Sequence, residues 1–300
     1  MKKSIKHEGP VIDSAGHFNV IECNACKFKH VVPFPTLEEL DVLYKEEFYS
    51  TAKPKYFASV EADREWWMET YRSYYHLFEK FTKGRKLLEI GSGPGYFLKC
   101  GQESGWDTLG IEPSPQAYEY SGKLGVKAIN SFFSADIAGQ IGQFDVVYMN
   151  TVLEHVLDPR ALIENANKVL KPSGIICVVS PNEYNPLQII LKERLGYPAW
   201  WVAPPQHINY FDFHSIRGLL KNNGFMVLEN LGTFPMEFFL LAGANYVGHD
   251  DIGKKCHAKR MEFEINMLKY GKAILEDFYK FLAKNNIGRE FLVLAKKEKI

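Results

Sequence analysis

The chain has 300 residues, 46% of them hydrophobic, enough for one α/β domain of ordinary size with additions and a sizeable core. Lys plus Arg and Asp plus Glu each number 36, so no global field draws the protein to nucleic acid or to an anionic membrane, and neither is expected as a partner. No run approaches the roughly 18 apolar residues of a spanning helix.

The opening residues MKKSIKHEGP lack the apolar stretch of a signal peptide, and 5 scattered cysteines suit reduced thiols, so a cytoplasmic location is expected. Residues 1–57 read as an N-terminal extension, with Cys23-Asn24-Ala25-Cys26, then Pro33 and Pro35, then a short helical stretch at 37–49. A C-x-x-C knuckle is half of a zinc ribbon, but no second pair follows and only His7, His17 and His30 lie nearby. The expectation is a metal-free hairpin remnant, with no metal elsewhere in the chain. Residues 58–300 read as the main domain. It opens with an amphipathic helix at 61–81, where Trp67, Tyr71, Tyr74, Phe78 and Phe81 recur at helical spacing. Most of these rings are expected to pack on a sheet, with Trp66 and Trp67 as candidates for a lid.

The segment LLEIGSGPGYFL at 87–98 is a short apolar strand holding Glu89, then a turn with Gly91, Gly93 and Gly95, then a helical pattern. Glycines there let the chain turn tightly and let a ligand lie against the backbone, and the following helix offers unpaired N–H groups. The dinucleotide fingerprint G-x-G-x-x-G would put its third glycine at 96, which is Tyr96. An acid beside the loop suits an ammonium better than a pyrophosphate. Residues 107–111 form a second strand ending at Glu112, about twenty residues beyond the loop, where an acid can bind both ribose hydroxyls. A third short strand covers 126–130. Gln143-Phe144-Asp145 leads into a fourth at 146–149, followed by Asn150, Thr151 and VLEHVLDP. Asp158 and Pro159 cap a helix whose Leu162, Ala166, Val169 and Leu170 share a face. KPSG at 171–174 turns into a fifth strand at 175–179.

This ordered set, over residues 84 to about 182, resembles the class I (Rossmann-like) S-adenosylmethionine-dependent methyltransferases, nearest to bacterial small-molecule and sugar methyltransferases related to the ubiquinone-pathway enzymes. The resemblance implies a seven-stranded, mostly parallel sheet with an antiparallel last strand, and S-adenosylmethionine as cofactor with S-adenosylhomocysteine as product. It assigns Glu89, Gly91, Ser92, Gly93, Gly95, Tyr96 and Phe97 to the cofactor loop and Glu112, Pro113 and Ser114 to the ribose. Ser131 and Phe132 then lie along the adenine, and Asn150, Thr151 and His155 beside the sulfonium. Some relatives carry a full four-cysteine ribbon before the same proline-rich segment; this chain lacks the first pair.

Beyond the fifth strand, 182–211 reads as an active-site insertion: a helix at 187–195, then the aromatic, proline-rich loop YPAWWVAPPQHINYF at 197–211. A helix at 213–223 and a sixth strand at 226–230 follow, and 290–295 is the last strand. Residues 232–288 are then a helical insertion between strands six and seven, either a cap or a homodimer contact. It carries His249, Asp250, Cys256 and His257, expected to sit in a solvated polar turn rather than on a metal, and one long helix bearing Met261, Ile265, Leu268, Leu275, Phe278 and Leu282.

A hydroxyl acceptor requires a base, and His155 and His207 are the candidates. Either has a structural alternative, a backbone bond or packing on adenosine. Glu154 is expected to brace a loop, and Asn182 and Tyr210 to touch substrate. The expected acceptor is a small polar molecule, foremost a sugar or nucleotide-sugar hydroxyl. An amine or carbon of another metabolite, or a non-catalytic protein that only binds the cofactor, are the alternatives.

Overall fold

The computed structural model describes residues 6–52 and 54–298. Its strands in chain order are β1 (Val11–Ala15), β2 (Phe18–Glu22), β3 (Lys29–Val32), β4 (Lys86–Ile90), β5 (Asp107–Ile111), β6 (Ala128–Ile129), β7 (Phe144–Asn150), β8 (Leu170–Pro181), β9 (Asn209–Tyr210), β10 (Phe225–Gly232) and β11 (Glu290–Lys297). Seven of them form one sheet in the order β10-β11-β8-β7-β4-β5-β6. All neighbours from β8 to β6 run parallel, whereas β11 is antiparallel to both β8 and β10. This is the mostly parallel sheet with an antiparallel last strand that the sequence predicts.

Helices cover both faces, so the central strands are apolar on both sides rather than alternating. Leu87, Leu88, Val146, Val147, Ile175, Ile176 and Val178 are fully buried. They feed two clusters: one holds Leu88, Val147, Ile176, Ile163 and Leu220, the other Leu87, Val146, Phe78, Phe97 and Trp106. Because β5 and β7 flank β4, the chain leaves the sheet in opposite directions there. Ile90 stands beside Ile111 on one side and Met149 on the other, and a crevice opens beyond these strand ends.

The N-terminal segment does not stand apart from the main domain. β1, β2 and β3 form a meander whose last strand pairs with β9 from the 182–211 insertion, His30 against Asn209 and Lys29 against Tyr210. Phe18, Val20, Val31, Leu40 and Leu43 share a small core with Trp201, Ile208 and Tyr210. The extension and the insertion are therefore one module above the crevice.

Several element boundaries differ from expectation. The helix expected at 61–81 is two, Tyr56–Ala62 and Arg64–Phe81, broken at Asp63, whose carboxylate receives His257 Nε2 at 3.2 Å. The long helix of the insertion is also two, Asp250–Tyr270 and Lys272–Lys284, parted at Gly271, a poor helix former. His249 and Asp250 begin the first of these, and Cys256 is buried within it, so the expected polar turn is a helix start. The segment after Leu37–Val42 continues as a π-helical run, Leu43–Ala52. KPSG lies within β8, with Ser173 at φ +63 as the kink.

Candidate active site

A cavity of about 840 Å³ lies at the crevice, floored by the ends of β4, β5 and β7 and roofed by residues from 37–60 and the 203–207 loop. The glycine loop forms its floor. Gly91 and Ser92 donate N–H to the Ile111 carbonyl at 2.8 and 3.1 Å, stitching the turn to β5. Gly91 and Gly95 serve packing. A Cβ at Gly91 would lie 2.6 Å from Val152 Cγ2, and one at Gly95 2.8 Å from Val126 Cγ2 and 3.0 Å from Ser121 Cβ. Gly95 also caps the helix Tyr96–Glu103 in the left-handed region, φ +87. Gly93 differs: at φ +50, its Cβ position meets only Tyr49 Oη, at 3.7 Å.

Two carboxylates face this loop. Glu112 accepts N–H from Gly93 at 2.7 Å on Oε2 and from Ser114 at 2.9 Å on Oε1, so it holds the loop in shape as well as lining the cavity. Glu89 also lines the cavity, and its Oε2 is buried with no hydrogen-bond partner among the described residues. Burial, with Glu112 nearby, pushes its carboxyl well above the usual range. A cationic donor is what such a group lacks. Asn150 Oδ1, at the end of β7, is buried and unpartnered in the same way. The next residue, Thr151, holds φ +52, a conformation costly for a branched residue, with its N–H on the Val179 carbonyl at 2.9 Å.

Pro113, Ser131 and Phe132 line the opposite end, where Asn130 Nδ2 donates to the Glu112 carbonyl at 2.8 Å and ties the two turns together. Tyr96 lines the cavity with its hydroxyl on Glu61 and on Tyr120 Oη. Phe97 borders it too, but stacks on Tyr148 at 3.9 Å as part of the core. Ser114 is not on the cavity wall; its hydroxyl caps the helix Pro115–Lys123.

The histidines meet on the other side. A carboxylate oxygen of Glu154 and ring nitrogens of His155 and His207 all lie within 4.8 Å of one another, and the two rings cross edge to face at 5.2 Å. His207 Nδ1 lies 2.9 Å from Oε1 of Glu183, which is 4% exposed. His155 Nδ1 lies 2.6 Å from the Gln206 carbonyl, and its ring packs on Tyr44 at 5.6 Å. Glu154 braces this corner as expected: its Oε2 takes the Ser180 hydroxyl at 2.8 Å and its carbonyl the Ile208 N–H at 2.7 Å.

Residues 63–230 match the family described as a methyltransferase domain. The chain belongs to the class I S-adenosylmethionine-dependent methyltransferases. It is 32% identical over 99 residues to a ubiquinone biosynthesis O-methyltransferase of Methylococcus capsulatus, covering 31% of this chain and 42% of that protein. It is 30% identical over 131 residues to the same-named protein of Caulobacter vibrioides, covering 42% and 52%. The match thus spans about half, or less, of these curated relatives. In structure it resembles a SAM-dependent methyltransferase from Archaeoglobus fulgidus, with TM-score 0.53 and 19% identity over 81% of this chain and 99% of that one, a likeness of fold. S-adenosylmethionine fits the site: the orphaned Glu89 oxygen suits its ammonium and the Glu112 carboxylate its ribose.

Besides Ser114, three sequence assignments require correction. Asn182 is fully buried and donates Nδ2 to the Asn286 carbonyl at 3.0 Å, linking β8 to the loop before β11. Tyr210 is 1% exposed, its hydroxyl on the His207 carbonyl at 3.1 Å. Neither lines the cavity; Asn182 braces the 286–288 loop, and Tyr210 braces the loop that carries His207. Trp66 is no lid: it is buried, with Nε1 on Glu264 Oε2 at 2.8 Å and Arg260 over its ring, whereas Trp67 does line the cavity. The sequence reading missed Glu183, which sits in no motif, and the roof residues Leu40, Tyr44, Tyr49 and Tyr56, which precede the glycine loop in sequence and lie on the helix Leu37–Val42, the π-helical run and the start of the helix Tyr56–Ala62.

The buried acids make stability depend on pH. Burial pushes the carboxyls of Glu154 and Glu112 up to about 7, opposed for Glu154 by the nearby His207 and for Glu112 by its two backbone donors. A carboxyl raised in the folded state contributes stability that is complete below its ordinary value of 4.5 and is lost as pH rises through about 7. Glu154→Gln, which can still accept the Ser180 hydroxyl, is expected to flatten the fall in melting temperature across this window. A melting profile as steep as the parent's contradicts the assignment.

Proposed function

We propose that the chain moves a methyl group from S-adenosylmethionine to a hydroxyl of a small molecule, with His207 as general base and Glu183 as its positioning partner. The observation that carries this reading is the buried Glu183 carboxylate 2.9 Å from His207 Nδ1, on a histidine that lines the cofactor cavity. When bound, the cofactor supplies a methyl group already activated by its cationic sulfur. The chain's own part is to hold the acceptor in line, exclude water and take a proton. With Glu183 accepting from Nδ1–H, the neutral ring carries its lone pair on Nε2, which takes the acceptor's hydroxyl proton. The imidazolium so formed is stabilised by the carboxylate. Burial raises the Glu183 carboxyl, while the charge and hydrogen bond of His207 draw it back toward ionisation.

His155 supports the same reading as a positioning residue, since its bond to the Gln206 carbonyl fixes the residue before the base. The roof, with Leu40, Tyr44, Tyr49 and Tyr56, encloses the acceptor in a largely apolar wall. No lysine or arginine lines the cavity among the described residues, and Lys45 stands over the Phe132 ring without lining the wall, so the wall offers little to pair with a nucleotide-sugar diphosphate. A simple sugar or phenolic hydroxyl fits better, and the O-methyltransferase names of the curated relatives agree with oxygen as the accepting atom. Five unpaired cysteines suit a reducing compartment.

Glu183→Gln tests the pairing. It should lower kcat by roughly tenfold or more with little change in the KM for cofactor, and move the pH–rate profile, because the amide can hold the ring but cannot stabilise its cation. An unchanged profile together with full turnover overturns the role of Glu183.

A further inference from the structure

The shortage of ligands that the sequence suggests around the C-x-x-C knuckle does not hold in space. Histidines from the segment before β1 and from β3 reach the two thiols, so that the ligand atoms of His7, Cys23, Cys26 and His30 all lie within 4.8 Å of one another. His7 Nδ1 is 3.1 Å from His30 Nε2, 3.4 Å from Cys26 Sγ and 3.9 Å from Cys23 Sγ. A tetrahedral zinc with bonds of about 2.0–2.1 Å to nitrogen and about 2.3 Å to sulfur has ligand atoms roughly 3.3–3.8 Å apart along its edges. The three spacings, 3.1, 3.4 and 3.9 Å, bracket that range.

The surroundings are those of a built site. The Cys26 N–H points at Cys23 Sγ at 3.4 Å, and Lys27 turns at φ +64 with its N–H on the Cys23 carbonyl at 3.0 Å, bending the knuckle so that both sulfurs face one point. His30 is fully buried, and its Nδ1 lies 3.0 Å from the Val31 carbonyl. That bond sets the tautomer with the lone pair on Nε2, the nitrogen facing His7, as a second-shell carbonyl does for a metal-bound histidine. Phe34 packs on both imidazoles, at 5.0 Å from His7 and 4.8 Å from His30. Gly9 passes so near Glu22 that a Cβ would lie 1.9 Å from its carbonyl oxygen, which lets the segment before β1 bring His7 in.

We propose that His7, Cys23, Cys26 and His30 bind one zinc-type divalent cation in a closed Cys2His2 shell. Four protein ligands leave no open position for a reacting water, which makes the site structural. Its consequence follows from the topology. The ion would tie the chain's start to the β2–β3 turn and to β3, and β3 pairs with β9, two residues past His207. The clamp would therefore hold the module that roofs the cofactor cavity. His17, which packs on Phe18, has no part in it.

The test uses the untagged full-length chain, reduced and freed of metal by a chelator, then titrated with zinc or cobalt ions alone. The expected result is one ion per chain, with cobalt showing the strong visible bands of tetrahedral coordination and a thiolate charge-transfer band. His7→Ala should weaken binding at least roughly tenfold, Cys26→Ser should remove most of the charge-transfer intensity, and His17→Ala should change neither. Absence of stoichiometric binding by the reduced wild-type chain overturns the proposal, as does an octahedral cobalt spectrum without thiolate bands. If the cysteine variant does not fold, the wild-type cobalt spectrum decides alone.

Discussion

His207→Ala is expected to lower turnover by roughly a hundredfold or more, the usual scale for losing a general base, while cofactor affinity stays near that of the parent. The ring reaches the cavity from the 203–207 loop, whereas the residues proposed to hold the cofactor sit at and beyond the ends of β4, β5 and β7, so its removal leaves that floor intact. The limb of the pH–rate profile that reports deprotonation of the base should vanish in the variant. His155→Ala provides the contrast. It removes the bond to the Gln206 carbonyl and a ring against Tyr44, so it should disturb the roof and change cofactor affinity together with rate. Full turnover in His207→Ala with an unaltered pH profile would show that no histidine base operates at that position.

Gly93→Val is expected to weaken S-adenosylhomocysteine binding by roughly ten- to a hundredfold while leaving the fold intact. At φ +50 a branched residue carries strain of about 1–3 kcal/mol, and relaxing it would pull the Gly93 N–H from Glu112, the bond that shapes the loop. Its methyls would also enter the gap beneath Tyr49. No core side chain borders that position, so the damage should stay local. Calorimetry with unchanged affinity in a folded Gly93→Val protein would show that the loop is not a ligand surface.

What was legible in the sequence was the part encoded locally. The glycine spacing, the acid ending β5 and the capped helix after Asp158 each follow from short-range chemistry, and the floor of the site stands where those residues place it. The seven-stranded sheet is legible for a related reason, since strands buried on both faces read as continuous apolar runs. The roof was not, because the residues that build it meet only through tertiary pairing. Nothing near Lys29 announces Tyr210 as its strand partner, and nothing near Glu183 announces His207. For the same reason Asn182 and Tyr210, polar residues flanking a functional loop, read as substrate contacts although their partners are a carbonyl across the fold and the backbone of the base itself. The long helices were read as continuous because nothing local marks their breaks strongly: the Asp63 carboxylate meets His257 from a distant helix rather than capping its own, and Gly271 is a single weak helix former.

The central claim is methyl transfer to oxygen with His207 accepting the proton. Its most direct test incubates the full-length chain with S-adenosylmethionine carrying an isotope-labelled methyl group and a panel of simple sugars, phenols, nucleotide-sugars and amines, locating the label by mass spectrometry and NMR. The account predicts label on the oxygen of a sugar or phenol lacking a diphosphate, formed by wild type and nearly lost in His207→Ala. Label placed on nitrogen or carbon at a rate indifferent to His207→Ala would contradict it.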